Sequence, residues 1–260
     1  MLKMMALAGV LLTASTFALA DSKTITWKDG SVVLKGQMFL PEKRMGTSPG
    51  VLVFPDWLGN TEEARMRASQ LAGLGYVALV VDMYGEGKEL KSPKEAMEAT
   101  GPFYKDRKSM IARAKAALEA LAKRDEVNPK KVAAVGFCFG GANALQLARS
   151  GADLKGVVSL HGGLKTELPA ESGAVKARLL VLHGALDPHV PPTEVAGFFD
   201  EMNRAGAKYS FTAYSGAVHS FTRKSAGTNV ASGAAYNEEA ALLAWKATGD
   251  FLAEILPVTP

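Results

Sequence analysis

The chain has 260 residues, 48% of them hydrophobic, and 30 Lys and Arg against 26 Asp and Glu give a formal net charge of +4. That is enough apolar material for one sizeable core, which excludes a disordered chain and makes a single α/β domain the default. Basic residues are scattered among acids with no aromatic-flanked basic stripe, so no nucleic-acid partner is expected.

Residues 1–20 read as a signal peptide. Lys3 gives a positive start, Met4 to Leu12 an apolar run, and Ala18-Leu19-Ala20 an A-x-A cleavage pattern. The run is too short for a permanent span, and no later segment is long and apolar enough for one. The expected product is residues 21–260, a single domain, periplasmic or secreted, without stable membrane insertion. An uncleaved anchor is the alternative. A single Cys, Cys138, allows no internal disulfide, and in an exported chain it is either buried and inert or kept for reactivity.

Ile25, Trp27, Val32, Leu34, Met38 and Leu40 alternate around a turn at Lys28–Ser31, which predicts an antiparallel edge hairpin. Pro41–Pro49 reads as loop. Gly50–Phe54 is a continuous apolar run, as in a buried parallel strand. Asn60 with Glu63 resembles a capping box for a helix carrying Met66, Leu71 and Leu74. Strand Tyr76–Val81 follows, then a Gly- and Lys-rich excursion over 82–100, then a helix over 106–123. Strand Val132–Val135 leads into a helix that ends near Ala148. Strands Leu154–Leu160 and Leu179–Leu182, helix 193–206, strand Tyr209–Tyr214 and helix 236–252 complete the chain. Strands alternating with helices predict a mostly parallel sheet with helices on both faces. No G-x-G-x-x-G follows the first buried strand and no H-x-x-x-H spacing appears, so neither a cofactor nor a metal is expected.

Gly136-Phe137-Cys138-Phe139-Gly140 is G-x-S-x-G with sulfur for oxygen. In such a turn the nucleophile stands exposed between strand and helix, flanking glycines let the two approach, and the helix start favours thiolate. Cys138 is then the nucleophile, and the Phe139 N–H an oxyanion donor. The pentapeptide alone fits a buried, structural cysteine equally well. Its partners shift the balance. Asp187, in LHGALDPHV, and His219, in YSGAVHSFTR, follow the strands Leu179–Leu182 and Tyr209–Tyr214 on the same rim, in the order nucleophile, acid, histidine. Asp187 before Pro188 also fits a plain turn residue, and His219 a surface histidine. His161 reads as pocket wall, His183 as the holder of a structural hydrogen bond, and His189 as loop surface.

The segments VLVFPDWLGN, VALVVDMYG, VAAVGFCFGG, VLHGALDPHV, GAVHSFTR and YNEEAALLAWKATGDFL resemble the dienelactone hydrolase (carboxymethylenebutenolidase) family of the α/β-hydrolase superfamily, in matching order over nearly all of residues 21–260. The resemblance implies an α/β-hydrolase fold and a cofactor-free Cys138–His219–Asp187 triad. It places Asp56 where the family has an acid interacting with the resting thiol, and makes the Trp57 N–H the second oxyanion donor. Arg223 matches one of two arginines that clamp a substrate carboxylate. Arg107 lies in roughly the region of the second, and Arg113 is expected on an exposed helix face. The expected partner is a small ester or lactone, neutral or anionic, cleaved through a thioester by a monomer or small homo-oligomer. A peptidase or deacylase of the same fold and an inactive secreted binding protein are the rival readings.

Overall fold

The chain opens with β1 (Ser22–Asp29) and β2 (Val32–Phe39), an antiparallel hairpin in which Asp29 pairs with Val32 across Gly30–Ser31. The turn is therefore the last two residues of the expected four, with Gly30 at φ 57. The computed structural model describes residues 20–43 and 46–258; the leader and its A-x-A pattern lie outside these, save Ala20. The remaining strands are β3 (Ser48–Phe54), β4 (Val77–Val80), β5 (Val127–Phe137), β6 (Gly156–Leu160), β7 (Arg178–Gly184) and β8 (Tyr209–Tyr214). They form one sheet in the order β1-β2-β4-β3-β5-β6-β7-β8, with every pair from β4 to β8 parallel.

Six helices flank both faces: α1 (Glu62–Gly73), α2 (Pro93–Lys105), α3 (Arg107–Ala122), α4 (Phe139–Arg149), α5 (Pro192–Ala205) and α6 (Glu238–Ile255). The central strands read as unbroken apolar runs because each face has its own core. Leu52, Phe54, Val132 and Ala134 pack with Met110, Leu145 and Phe198 on one side. Val51, Val53, Ala133 and Val135 pack with Ala68, Leu71 and Leu252 on the other. The successive residues of one strand thus serve opposite cores. Parallel alignment also brings the C-terminal ends of β3, β5, β6, β7 and β8 to one rim.

Several local expectations are corrected. Thr61, not Asn60, caps α1: its hydroxyl accepts the Ala64 N–H at 3.3 Å, while the Asn60 N–H is held by the Lys88 carbonyl. Glu63 is thereby the second helical residue rather than a capping-box partner. Met66 and Leu74 lie exposed, and Ala64, Ala68, Leu71 and Ala72 form the buried stripe of α1. The excursion over 82–100 contains the start of α2, capped by Ser92 with Pro93 behind it. Asp106 then closes α2 and caps α3. β5 begins at Val127, earlier than its apolar stretch, because its first residues pair with β3 ahead of a register shift at Pro49/Gly50. Among the described residues no helix is long and apolar enough to cross a membrane.

Candidate active site

Cys138 stands alone between β5 and α4, at φ 54 and ψ −118. A non-glycine residue there costs of order 1–3 kcal/mol and persists only where its surroundings fix it. The fixing contacts are present. The Cys138 N–H reaches both the Leu160 carbonyl at 3.0 Å and His161 Nδ1 at 3.1 Å, and its carbonyl accepts from Gly141 and Ala142. A Cβ at Gly136 would collide with the Gly140 carbonyl, and one at Gly140 with that of Phe54. The glycines are thus demanded by close approach of strand, helix and β3. Phe139 opens α4, where backbone N–H groups have no intrahelical partner.

The other two members of the expected triad meet the thiol. His219 Nε2 is 3.0 Å from Cys138 Sγ, and His219 Nδ1 is 2.8 Å from Asp187 Oδ2. The Asp187 side chain is fully buried, and its other oxygen accepts the His189 N–H at 2.8 Å. Its acceptors are therefore committed, and it sets the His219 tautomer with the proton on Nδ1. Burial alone would lower the His219 pKa. Hydrogen bonds to Asp187 and Cys138, and their negative charges, outweigh it and push His219 up to about 10. The arrangement sets an imidazole of raised proton affinity against the Cys138 sulfur.

Several of the remaining residues settle differently from the sequence expectation. Asp56 makes no hydrogen bond to the thiol. One oxygen accepts the Leu58 N–H at 2.9 Å and the other lies 3.5 Å from Arg223 Nη1. Burial raises the Asp56 pKa, opposed by the Leu58 N–H and by the Arg223 and His219 charges. Arg223 therefore already has a carboxylate, and it comes from the protein. The two line a pocket with Glu63, Arg67, Thr222 and Phe137; the motif reading names Glu63 only as a helix-capping residue and does not single out Arg67 or Thr222. The i, i+4 spacing of Glu63 and Arg67 on α1 was their one visible signal. His161 lines the same pocket, as expected of it, and its Nδ1 also holds the Cys138 backbone N–H. Trp57 turns at the end of β3, its carbonyl fixed by the Tyr84 hydroxyl at 2.8 Å. Arg107 is occupied by Glu167 at 3.1 Å and the Lys165 carbonyl at 3.2 Å. Arg113 is largely buried against Asp29 and the Met83 carbonyl, contrary to its expected exposure. His183 is buried with Nδ1 unpartnered, so the structural hydrogen bond expected of it is not found at that nitrogen. His189 is exposed, with its ring 5.1 Å from that of His219.

An aromatic wall stands over the start of α4. Phe139 stacks on Tyr84 at 6.0 Å and meets Phe103 and Tyr104 of α2 at 6.0 and 5.6 Å. Two of these four rings ride on the helix that the sequence reading missed.

The sequence model of the dienelactone hydrolase family matches residues 34–256. The chain belongs to the dienelactone hydrolase family. It is similar to a solved dienelactone-hydrolase-like promiscuous phosphotriesterase from metagenomic libraries, at 37% identity and a TM-score of 0.86, over 90% of this chain and 98% of that one. A second solved structure, described as m3DLH, has 37% identity and a TM-score of 0.87 over 92% and 100% of the two chains. A Bradyrhizobium protein described as a probable 2-oxo-3-(5-oxofuran-2-ylidene)propanoate lactonase is 28% identical over 78% of this chain and 86% of its own. Family membership and the Cys138–His219–Asp187 geometry together make this dienelactone hydrolase relative a cysteine-dependent hydrolase, built for ester or lactone chemistry.

Proposed function

We propose that the protein hydrolyses small, uncharged esters or lactones through a Cys138 thioester. The observation that carries the charge preference is the Asp56–Arg223 pair at 3.5 Å. A free arginine beside the thiol would attract a carboxylate-bearing substrate. A neutralised one offers an anion little, and displacing Asp56 would leave a buried carboxylate unpaired. Arg107 and Arg113 are engaged elsewhere, which removes the other expected clamp. The similarity to a phosphotriesterase is in keeping with an electrophile that carries its reactivity without a charge, whereas the lactonase relative is named for a lactone that bears a carboxylate.

The chemistry proceeds in two halves. The Cys138 thiolate attacks the carbonyl carbon, and the π pair moves to oxygen, where the N–H groups of Phe139 and Trp57 receive it. As the carbon–oxygen bond to the leaving group breaks, His219 hands over its proton. Water then enters, His219 takes one of its protons, hydroxide attacks the thioester and the carbon–sulfur bond breaks. The thiolate–imidazolium pair is restored. In a lactone the leaving oxygen stays attached to the acyl group, so the ring opens without losing a fragment.

Export as a single domain of residues 21–260 is part of the proposal. It rests on the leader pattern, and the Asp21 carbonyl accepts the Leu40 N–H at 2.8 Å, so a chain beginning at Asp21 keeps its first sheet contact. N-terminal sequencing of protein recovered from the periplasm or medium should read Asp-Ser-Lys; an intact leader would refute export by cleavage. The catalytic reading is tested with dienelactone, a neutral short-chain aryl ester and an anionic analogue, in wild type beside Cys138→Ala. The neutral ester should be preferred and Cys138→Ala inactive. Equal rates in both proteins would remove Cys138 from the chemistry, and a preference for the anion would overturn the charge argument.

A further inference from the structure

We propose that His161 is a positioning residue, a neutral imidazole that ties the Cys138 elbow to the loop carrying His219, with Thr222 as its second anchor. This rests on Cys138 acting as nucleophile. The starting observation is where backbone strain gathers. Four non-glycine residues among those described have positive φ, and three of them, Cys138 (φ 54), His161 (φ 42) and Ser220 (φ 55), surround the site on three different loops. Backbones held in this region need neighbours that over-determine them.

His161 supplies those constraints from beneath. It is 2% exposed, and both ring nitrogens are engaged. Nδ1 receives the Cys138 N–H at 3.1 Å, and Nε2 lies 2.8 Å from Thr222 Oγ1. An amide can only donate, so Nδ1 must present its lone pair and the ring proton must sit on Nε2, donated to Thr222. Protonating the ring would break the elbow bond. The surroundings oppose it too: burial first, then the charges of His219, Arg223 and Arg67, hold the His161 pKa well below its usual range. The His161 ring stands edge-on to His219 at 5.4 Å and to Phe221 at 5.2 Å. The Thr222 carbonyl in turn accepts from Arg67 of α1 at 3.1 Å. One imidazole thus spans from the residue bearing Sγ to the residue three beyond His219, and so fixes the 3.0 Å separation between sulfur and Nε2.

Four variants test this: His161→Phe, His161→Asn, Thr222→Val and Thr222→Ser. His161→Phe keeps a ring and loses both bonds. Asparagine tolerates positive φ and offers an oxygen to the Cys138 N–H. Thr222→Val strips the Nε2 proton of its acceptor and leaves the ring in place, and Thr222→Ser restores it. His161→Phe and Thr222→Val should lower kcat on a neutral aryl ester by about 10- to 100-fold with KM unchanged. They should also move the midpoint of Cys138 alkylation by iodoacetamide to higher pH, a readout that needs no substrate. Thr222→Ser should recover both, and His161→Asn should recover a large part. Wild-type kcat and alkylation profiles in folded His161→Phe and Thr222→Val would overturn the proposal, as would a change confined to KM. If His161→Phe fails to fold, Thr222→Val decides alone. Full activity in Cys138→Ala would instead defeat the nucleophile reading beneath it.

Discussion

Gly184 offers a sharp test of how the triad is held. It ends β7, three residues before Asp187, and packs against the backbone just ahead of His219. A Cβ there would lie 2.6 Å from the Val218 carbonyl oxygen, 2.8 Å from that of Ala217 and 3.0 Å from the Val218 carbonyl carbon. Ordinary contact begins at 3.4 Å, so the two backbones must part by the 0.8 Å between 3.4 and 2.6 Å. All three obstructing atoms are main chain, and none can swing aside. If the His219 loop takes up the shift, the 2.8 Å bond from Nδ1 to Asp187 stretches towards 3.6 Å, where it ceases to be a hydrogen bond. Gly184→Ala should therefore lower kcat/KM on a neutral aryl ester by about 10- to 100-fold. Overpacking should cost about 2 kcal/mol of stability. For a domain of this size that is a fall in Tm of roughly 4–8 °C. Steady-state kinetics and calorimetry on the purified variant check both figures. A variant with wild-type kcat/KM and Tm would refute the view that this backbone contact sets the Asp187–His219 spacing.

Other perturbations separate the contributions within the site. Asp187→Asn removes a charge and an acceptor that push His219 up to about 10, so burial should pull its pKa down. Imidazole NMR titration would read this, and kcat should fall by about 10²- to 10⁴-fold. The folded His219 value of about 10 lies above the ordinary 6.5. Its contribution to stability is therefore fully present below about pH 6.5 and lost as pH rises through about 10. Urea unfolding at about pH 6 and about pH 10.5 should show wild type losing on the order of 2–4 kcal/mol more than His219→Gln across that interval. An equal loss in both would contradict the assigned shift. Asp56→Asn releases Arg223 from its carboxylate, so the ratio of anionic- to neutral-ester kcat/KM should rise by about tenfold. An unchanged ratio in the panel assay would show that Arg223 does not face the substrate.

The triad was legible because its logic is one-dimensional. A nucleophile on a glycine-flanked turn, an acid after the next-but-one strand and a histidine after the last all lie at C-terminal strand ends. A parallel sheet sends such ends to one rim. What the order of residues does not carry is the choice between partners of similar chemistry. Asp56 was expected beside the thiol, and the three-dimensional path of β3 and the His219 loop sets it against Arg223 instead. His161 was visible as a strand-end histidine, but its position beneath the Cys138 N–H depends on two positive-φ backbones that no spacing announces. Arg113 was misplaced because its exposure depends on the distant Asp29 of β1. Helix α2 was hidden by Gly101 and Pro102 inside it. Its Ser92-Pro93 start was readable, and its buried stripe of Ala96, Thr100 and Phe103 is thin, with only two apolar members.

That helix has an implication for how this scaffold diversifies. α2 begins at its own serine cap and ends on Asp106, whose side chain starts α3, so both of its boundaries are written locally. It contributes Phe103 and Tyr104 to the aromatic wall but no strand to the sheet and no member of the triad. Residues 92–106 therefore behave as an exchangeable cassette. Replacing their exposed side chains between related chains would recut the aromatic wall over the start of α4 while the triad is inherited intact. Substrate range can then drift at the exposed positions of this segment, such as Tyr104, while Ala96 and Phe103 stay tied to the core and Asp106 to the start of α3.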